Sequence, residues 1–262
     1  MLNARRYLAG SQTDLGVKGT NDSPFDGGIG YGSKYQHSDM NNTLIALEAM
    51  RLSEAAVRNM DVPKPAVSQP EADVDWASVV RFLENCQNFS SVNKADWVSD
   101  EPKDRGGFVY YPGYSNAGSV TNAATGRVAL RSYGSMSYGG LLSYIYARLD
   151  KNDPRVVAAL DWLRANYTLT ENPGMGQQGY YYYLHLMTKA LAAAGVEKLK
   201  LADGRELDWR AQVASQLLKL QKPDGSWVNP EKRFWESDPI LVTTYSMMAL
   251  EILHAHANHS EE

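Results

Sequence analysis

Residues 174–191 read GMGQQGYYYYLHLMTKAL, a glycine-rich loop that leads into four consecutive tyrosines and then into a helical apolar pattern. Tyr181 and His185 are four residues apart, so on a helix they share one face. A helix with aromatic residues at its start and small or apolar residues on nearly every side is usually buried on several faces. The stretch therefore predicts an inner helix whose N-terminus opens onto a cavity.

The same order of elements occurs four times along the chain: a helix, a loop with glycine and aromatic residues, and a second helix. The motif Leu-x-x-x-Gln closes three of the first helices, at Gln12, Gln87 and Gln221, and Trp162 to Tyr167 is a related version. The first helices carry charges on one side, whereas the second helices are poor in charge, so we expect outer and inner helices respectively. The second helices are predicted near residues 39–58, 132–149, 176–195 and 238–257.

One long insertion interrupts the second unit. Residues 107–112 and 126–131 alternate in polarity, and a run of small and polar residues separates them. Such alternation predicts two short strands. We therefore expect a small β-hairpin within residues 106–131.

Two motifs carry a resemblance to a known family. Residues 221–227, QKPDGSW, are similar to the Gln/Trp motif of triterpene cyclases, and residues 39–43, DMNNT, resemble a stretch of bacterial cyclase-like repeat proteins. The chain thus resembles an uncharacterised bacterial branch of the squalene cyclase and prenyltransferase repeat family. The resemblance implies an all-α fold: an α/α toroid, complete or an open arc, of about four helical hairpins in a single domain. The domain would span residues 1–262, with units near residues 1–58, 74–150, 154–195 and 207–257.

The catalytic motifs of these relatives are absent from the sequence. The nearest string to the Asp-x-Asp-Asp acid motif is Asp73 to Trp76, which we expect to cap an outer helix. The zinc-binding set of prenyltransferases and the Asp-Asp-x-x-Asp diphosphate motif are missing, and Cys86 falls in an outer helix. Residues 175–178, MGQQ, resemble the thioester string of complement-type toroids but lack its cysteine. We therefore predict no metal site and no cofactor.

In a toroid, the loops and the N-termini of the inner helices meet at the mouth of the cavity. From this geometry we predict four catalytic candidates: Tyr182, His185, Asp39 and Asp238. The predicted ligand-binding residues are Asp26, Tyr31, Asn42, Tyr110, Arg131, Tyr133, Tyr138, Gln177, Gln178, Tyr181, Trp235, Glu236 and Tyr245.

Three functions can use this set. In a cyclase-like enzyme, aromatic faces stabilise carbocations, and an acid such as Asp26, Asp238 or Glu236 starts the reaction. In a polysaccharide lyase, Tyr182 or His185 removes a proton beside a uronate carboxylate, which Arg131, Asn42 and the glutamines neutralise. In a non-catalytic binding or scaffold module, the tyrosines simply close the cavity by packing. The leading hypothesis is a terpene cyclase/prenyltransferase-like protein with a small-molecule or oligosaccharide ligand in its aromatic cavity, and the sequence leaves open whether it is catalytic.

Bulk properties exclude other classes. The formal net charge of −4 offers no basic patch for nucleic acid, and no apolar run approaches the ~18 residues of a transmembrane helix. The start, MLNARRYLAG, lacks the apolar run of a signal peptide and enters a helical pattern at once. We expect a soluble chain, an N-terminal truncation of a longer or exported protein, and an undetermined compartment. Four hairpins are fewer than in the related cyclases, so an incomplete ring could form homo-oligomers through its open edge.

Overall fold

The computed structural model of the protein describes residues 1–32, 37–58 and 72–259. The described chain is mostly helical, which confirms the predicted all-α class, and its helices follow one another in the predicted hairpin order. The first helices are α1 (Leu2–Gly10), α4 (Trp76–Cys86), α6 (Pro154–Ala165) and α8 (Trp209–Leu220). The second helices are α2 (Met40–Leu52), α5 (Gly134–Tyr146), α7 (Tyr180–Ala193) and α9 (Pro239–His259). A short helix α3 (Glu54–Arg58) follows α2, and a 3₁₀ turn (Arg233–Trp235) precedes α9.

The second helices pack side by side in the order α2, α5, α7, α9, and α4, α6 and α8 pack beside them. Helix α5 is buried from Gly134 to Tyr144 because it is covered by helices on both flanks. Its small residues permit this close packing: a Cβ on Gly140 would lie 2.6 Å from the Phe108 ring. The core therefore centres on α5, which has no charged residue, and on α7, whose one charged residue is Lys189.

The outer helices begin as their sequences predict. Asp75 caps α4 by accepting hydrogen bonds from the backbone N–H groups of Ala77 and Ser78, at 2.9 and 3.2 Å. Asp153 caps α6, with Pro154 in its first turn. The expectation that the Asp73–Trp76 string is a helix start is thus confirmed.

Glutamines at the ends of α1 and α4 join successive hairpins. The Gln12 side-chain amide donates to the carbonyl of Gly27 in its own hairpin and to that of Asp75 at the start of α4, at 2.9 and 3.0 Å. In the same way, Gln87 donates to Gly106 and to Arg155 at the start of α6, both at 3.0 Å. Gln12 and Gln87 therefore tie the loops of the first and second hairpins to the next outer helix.

The last hairpin has an uncovered side in the described residues. The side-chain amide of Gln221 donates only within its own loop, to the Gly225 carbonyl at 2.9 Å. Ile240 and Met247 on α9 are 78% and 61% exposed, and an open depression of about 730 Å³ lies between Thr244 and His254. The homo-oligomer suggested from the repeat number stays a prediction.

The insertion before α5 folds differently from the prediction. Strands β1 (Ser119–Thr121) and β2 (Val128–Leu130) pair antiparallel inside the predicted region, but residues 107–112 do not form the first strand. Their backbone groups are already used: Val109 donates to Cys86, and the carbonyls of Phe108 and Tyr110 accept from the starts of α5 and α2. A second hairpin, β3 (Leu199–Lys200) with β4 (Glu206–Leu207), was not predicted.

Candidate functional site

Tyrosines from all four hairpins gather at the N-terminal ends of the second helices. We call Tyr31, Tyr110, Tyr133, Tyr182 and Tyr245 the tyrosine cluster. The rings of Tyr182 and Tyr245 are 5.3 Å apart. Burial raises the pKa of Tyr182, and Tyr245, Tyr133, Asp39 and Tyr31 raise it further. Burial also raises the pKa of Tyr110, with further contributions from Asp39, Tyr31 and Tyr133. The structure thus brings these five predicted site residues together.

Asp39 lies buried beside this cluster as the N-cap of α2. Its carboxylate accepts the backbone N–H of Asn42 at 2.9 Å and the Asn42 side-chain amide at 2.7 Å, and it also hydrogen-bonds the Tyr110 hydroxyl. Burial raises the pKa of Asp39, and these hydrogen bonds oppose the rise. Asn42 was predicted to bind ligand, but its side-chain amide donates to Asp39 instead.

A hydrogen bond joins α7 to α2 within the site. The Tyr182 hydroxyl donates to the Asn41 side-chain oxygen at 3.0 Å. Two turns further along α7, Lys189 forms a 2.5 Å ion pair with Glu48 of α2. Helices α2 and α7 both pack on α5, so these contacts link them across one side of α5. Asn41 lies within the DMNNT stretch but was not among the predicted site residues, which included its neighbours Asp39 and Asn42.

His185 lies one turn below Tyr182 and is only 4% exposed. Its ring stacks on Tyr245 at 5.9 Å, and its Nδ1 has no hydrogen-bond partner among the described residues. Burial, with a smaller contribution from Lys189, lowers the pKa of His185 to about 4. The ring is therefore neutral at pH 7, so it can accept a proton but has no charge to lose.

Glu236 occupies the N-terminus of α7. Its buried carboxylate accepts the backbone N–H of Tyr182 at 2.8 Å and of Tyr181 at 3.3 Å, and the Asn229 side-chain amide at 2.7 Å. The α7 N-cap residue, Gly179, has no side chain to do this. Burial raises the pKa of Glu236, and the N–H donors lower it. Glu236 was predicted to bind ligand. It instead caps α7, although it lies 55 and 54 residues after the two tyrosines whose N–H groups it accepts.

A polar group extends the cluster toward the turn before α9. The Arg233 guanidinium donates to the side-chain oxygens of Gln178 at 2.6 Å and Asn116 at 2.9 Å. The Asn116 amide in turn donates to the Tyr133 hydroxyl at 3.1 Å. Gln178 was predicted to bind ligand, whereas Arg233 and Asn116 lie in irregular segments without a sequence motif and were missed.

The remaining predicted residues have other surroundings. Tyr138 and Asp26 are buried, the former against the Tyr183 ring and the latter accepting the backbone N–H groups of Leu15 and Ser23. Asp238 is exposed and caps α9 through the Ile240 N–H at 2.8 Å. The side chain of Gln177 donates to the Thr170 carbonyl, and Tyr181 is buried against the Tyr180 ring. Trp235 is 81% exposed, and Arg131, which follows β2, is half-buried.

The described residues contain no group of three histidine, cysteine or acidic side chains placed to hold a metal ion. Within the same residues, no helix combines the length and apolarity needed to cross a membrane. No protein-family model matches the chain, and no curated protein sequence matches it. The resemblance to the squalene cyclase and prenyltransferase repeat therefore depends on the chain's own motifs and internal repetition.

Proposed function

We propose that the chain is a terpene cyclase/prenyltransferase-like repeat protein whose hairpins form an open arc of an α/α toroid in one domain. Two features support this proposal. The second helices follow one another in an unbroken row, and the Gln12 and Gln87 contacts join successive hairpins in the same way. Repeat folds gain their stability from such nearest-neighbour junctions.

We further propose that the arc binds a polyhydroxylated ligand, such as an oligosaccharide, at the tyrosine cluster. The observation that carries this proposal is the convergence of tyrosines from all four hairpins beside amide side chains. Tyrosine offers an apolar ring for the C–H faces of a sugar and a hydroxyl for its hydroxyl groups. An isoprenoid would instead leave the polar groups of Asn41, Asn116 and Arg233 without compensation when it displaced water from them.

The acids suggested for cyclase chemistry support this preference. Asp26 accepts two backbone N–H groups, Glu236 caps α7, and Asp238 caps α9 at the surface. Each carboxylate already has a structural partner, so none is left to protonate an alkene. Asp39 is the remaining buried acid beside the cluster, and it is hydrogen-bonded by Asn42 and Tyr110.

A polysaccharide lyase is the second candidate, and His185 is the observation that favours it. A lyase needs a neutral base near the sugar ring. His185 has a pKa of about 4 and an unpartnered Nδ1 among the described residues, one turn from the Tyr182 hydroxyl. Unsaturated products, detected by ultraviolet absorbance and lost in His185→Ala, would establish this activity.

Isothermal titration with short oligosaccharides, farnesyl diphosphate and dispersed squalene tests the binding proposal. We expect an oligosaccharide to bind. Tyr31→Ala should weaken binding by about 10-fold because it removes a stacking ring. Tyr182→Phe should weaken binding by about 2- to 10-fold because it removes a hydroxyl. Tyr7→Ala is the matched control, because Tyr7 is an exposed tyrosine on α1, outside the cluster. Binding of squalene or farnesyl diphosphate without any oligosaccharide would contradict the proposal.

A further inference from the structure

The turn that precedes α9 has an unusual backbone. Phe234 and Trp235 are consecutive non-glycine residues with φ of 61° and 64°. Side chains disfavour this left-handed region, so the surrounding contacts must offset the strain. Such strain marks a segment whose position is fixed by more than its local sequence.

Contacts on both sides hold this turn against α7. Glu236, the residue after the turn, is anchored at the α7 N-terminus, and Asn229 donates its backbone N–H to the Glu236 carbonyl at 2.9 Å. The Phe234 ring packs over Gly179, where an added Cβ would lie 3.4 Å from it. These contacts set the position of Arg233 at the start of the turn.

The Arg233 guanidinium is held by neutral groups only. Its two hydrogen bonds go to the amide oxygens of Gln178 and Asn116, and within the described residues no carboxylate pairs with it. Glu231 accepts the Arg233 backbone N–H rather than its guanidinium. By contrast, Arg155 is neutralised by Glu84 and Asp153. Arginine has five N–H donors, so after two bonds three are left for another acceptor.

This charge is continuous with the tyrosine cluster. Asn116 hydrogen-bonds both Arg233 and the Tyr133 hydroxyl, and Arg233 helps to oppose the rise in the pKa of Tyr133. The chain as a whole carries a formal net charge of −4, so its overall field does not attract anions. An uncompensated, oriented guanidinium at this place is therefore a local feature suited to one anionic group of a bound ligand.

We propose that the ligand of the tyrosine cluster is an acidic oligosaccharide and that Arg233 binds the carboxylate of one of its uronate residues. This inference rests on the proposed function, because the cluster supplies the contacts to the sugar rings. The planar fork of the guanidinium matches a carboxylate, and fixing it in advance lowers the entropic cost of binding. Gln178 and Asn116 act as positioning residues for Arg233.

A short oligogalacturonide and its fully methyl-esterified form test the inference, because the ester keeps the sugar backbone and removes the charge. We expect the acid to bind wild-type protein ~10- to 100-fold more tightly than the ester, as for hydrogen bonds to a charged group. Arg233→Gln should remove this preference, and Arg233→Lys should keep part of it, since lysine retains the charge without the fork. Arg210→Gln is the matched control, because Arg210 on α8 also donates to a neutral oxygen, the Glu197 carbonyl.

A sulfated, uronate-free oligosaccharide separates the two sources of anionic charge, and tighter binding of that ligand than of the oligogalacturonide would overturn the assignment to uronate. Equal binding of acid and ester, unchanged by Arg233→Gln, would overturn the inference and leave the proposed function standing. Absence of binding by every oligosaccharide would overturn both. Circular dichroism and the thermal midpoint of each variant establish that a lost preference reflects the side chain and not unfolding.

Discussion

The junction between the second and third hairpins and the outer side of the fourth hairpin contain the same residue types in opposite surroundings. At the junction, Gln87 is buried, donates to two carbonyls, and accepts the Tyr144 hydroxyl at 2.9 Å. On the fourth hairpin, Gln221 is exposed and its side chain makes one hydrogen bond, within its own loop. The motif is the same, but of these two copies only Gln87 has a described neighbouring hairpin to join.

The glycines of the two loops differ in the same way. Gly106 has φ of 96°, and an added Cβ would lie 2.1 Å from the carbonyl oxygen of Ala158 on α6. Gly225 has a similar φ of 86°, yet nothing lies within 4 Å of its added Cβ. The turn alone therefore requires glycine for its backbone, whereas the junction requires it for close approach as well. Most of the stabilisation that the motif gives depends on the next hairpin.

The largest expected effect comes from adding a methyl group to each loop. Gly106→Ala should lower the free energy of unfolding by ~4 kcal/mol or more, because backbone strain and a backbone clash add together. Gly225→Ala should cost only ~1 kcal/mol, for backbone strain alone. Urea unfolding followed by circular dichroism measures both. Equal losses in the two variants would show that the junction does not constrain Gly106.

Removing the glutamine side chains gives the next largest effect. Gln87→Ala leaves the Tyr144 hydroxyl and two carbonyls without their partner in a buried site, which should cost ~3 kcal/mol. Gln221→Ala should cost less than ~0.5 kcal/mol, because the exposed Gly225 carbonyl that loses its partner can bond to water. Gln12→Ala should fall between them, since Gln12 makes two inter-hairpin bonds but is only half-buried. The same urea titrations apply, and any other order of the three losses would break the comparison.

Periodic features of the sequence predicted the hairpins and part of the site. The spacing of Gln12, Gln87 and Gln221 marked the ends of first helices, and helix starts placed Asp39 and Tyr182 near one another. Contacts between distant irregular segments could not be predicted in this way. Gly179, the N-cap residue of α7, has no side chain, and Glu236 caps the helix in its place. Arg233 is positioned by Asn116, which lies 117 residues earlier. Nothing in the local pattern of either segment encodes these partners.

The smallest expected effect concerns a hydroxyl of the second helix that accepts a backbone N–H from the loop in both hairpins. Ser137 accepts the backbone N–H of Phe108 at 3.0 Å, and Thr243 accepts that of Trp227 at 3.1 Å. Ser137 is buried, so Ser137→Ala leaves the Phe108 N–H unsatisfied and should cost ~1–2 kcal/mol. Thr243 is half-buried, and Thr243→Val should cost ~0.5 kcal/mol because water can replace the hydroxyl. Hydrogen exchange should therefore accelerate more at Phe108 than at Trp227, and a greater acceleration at Trp227 would mean that the open side of the fourth hairpin is covered in solution.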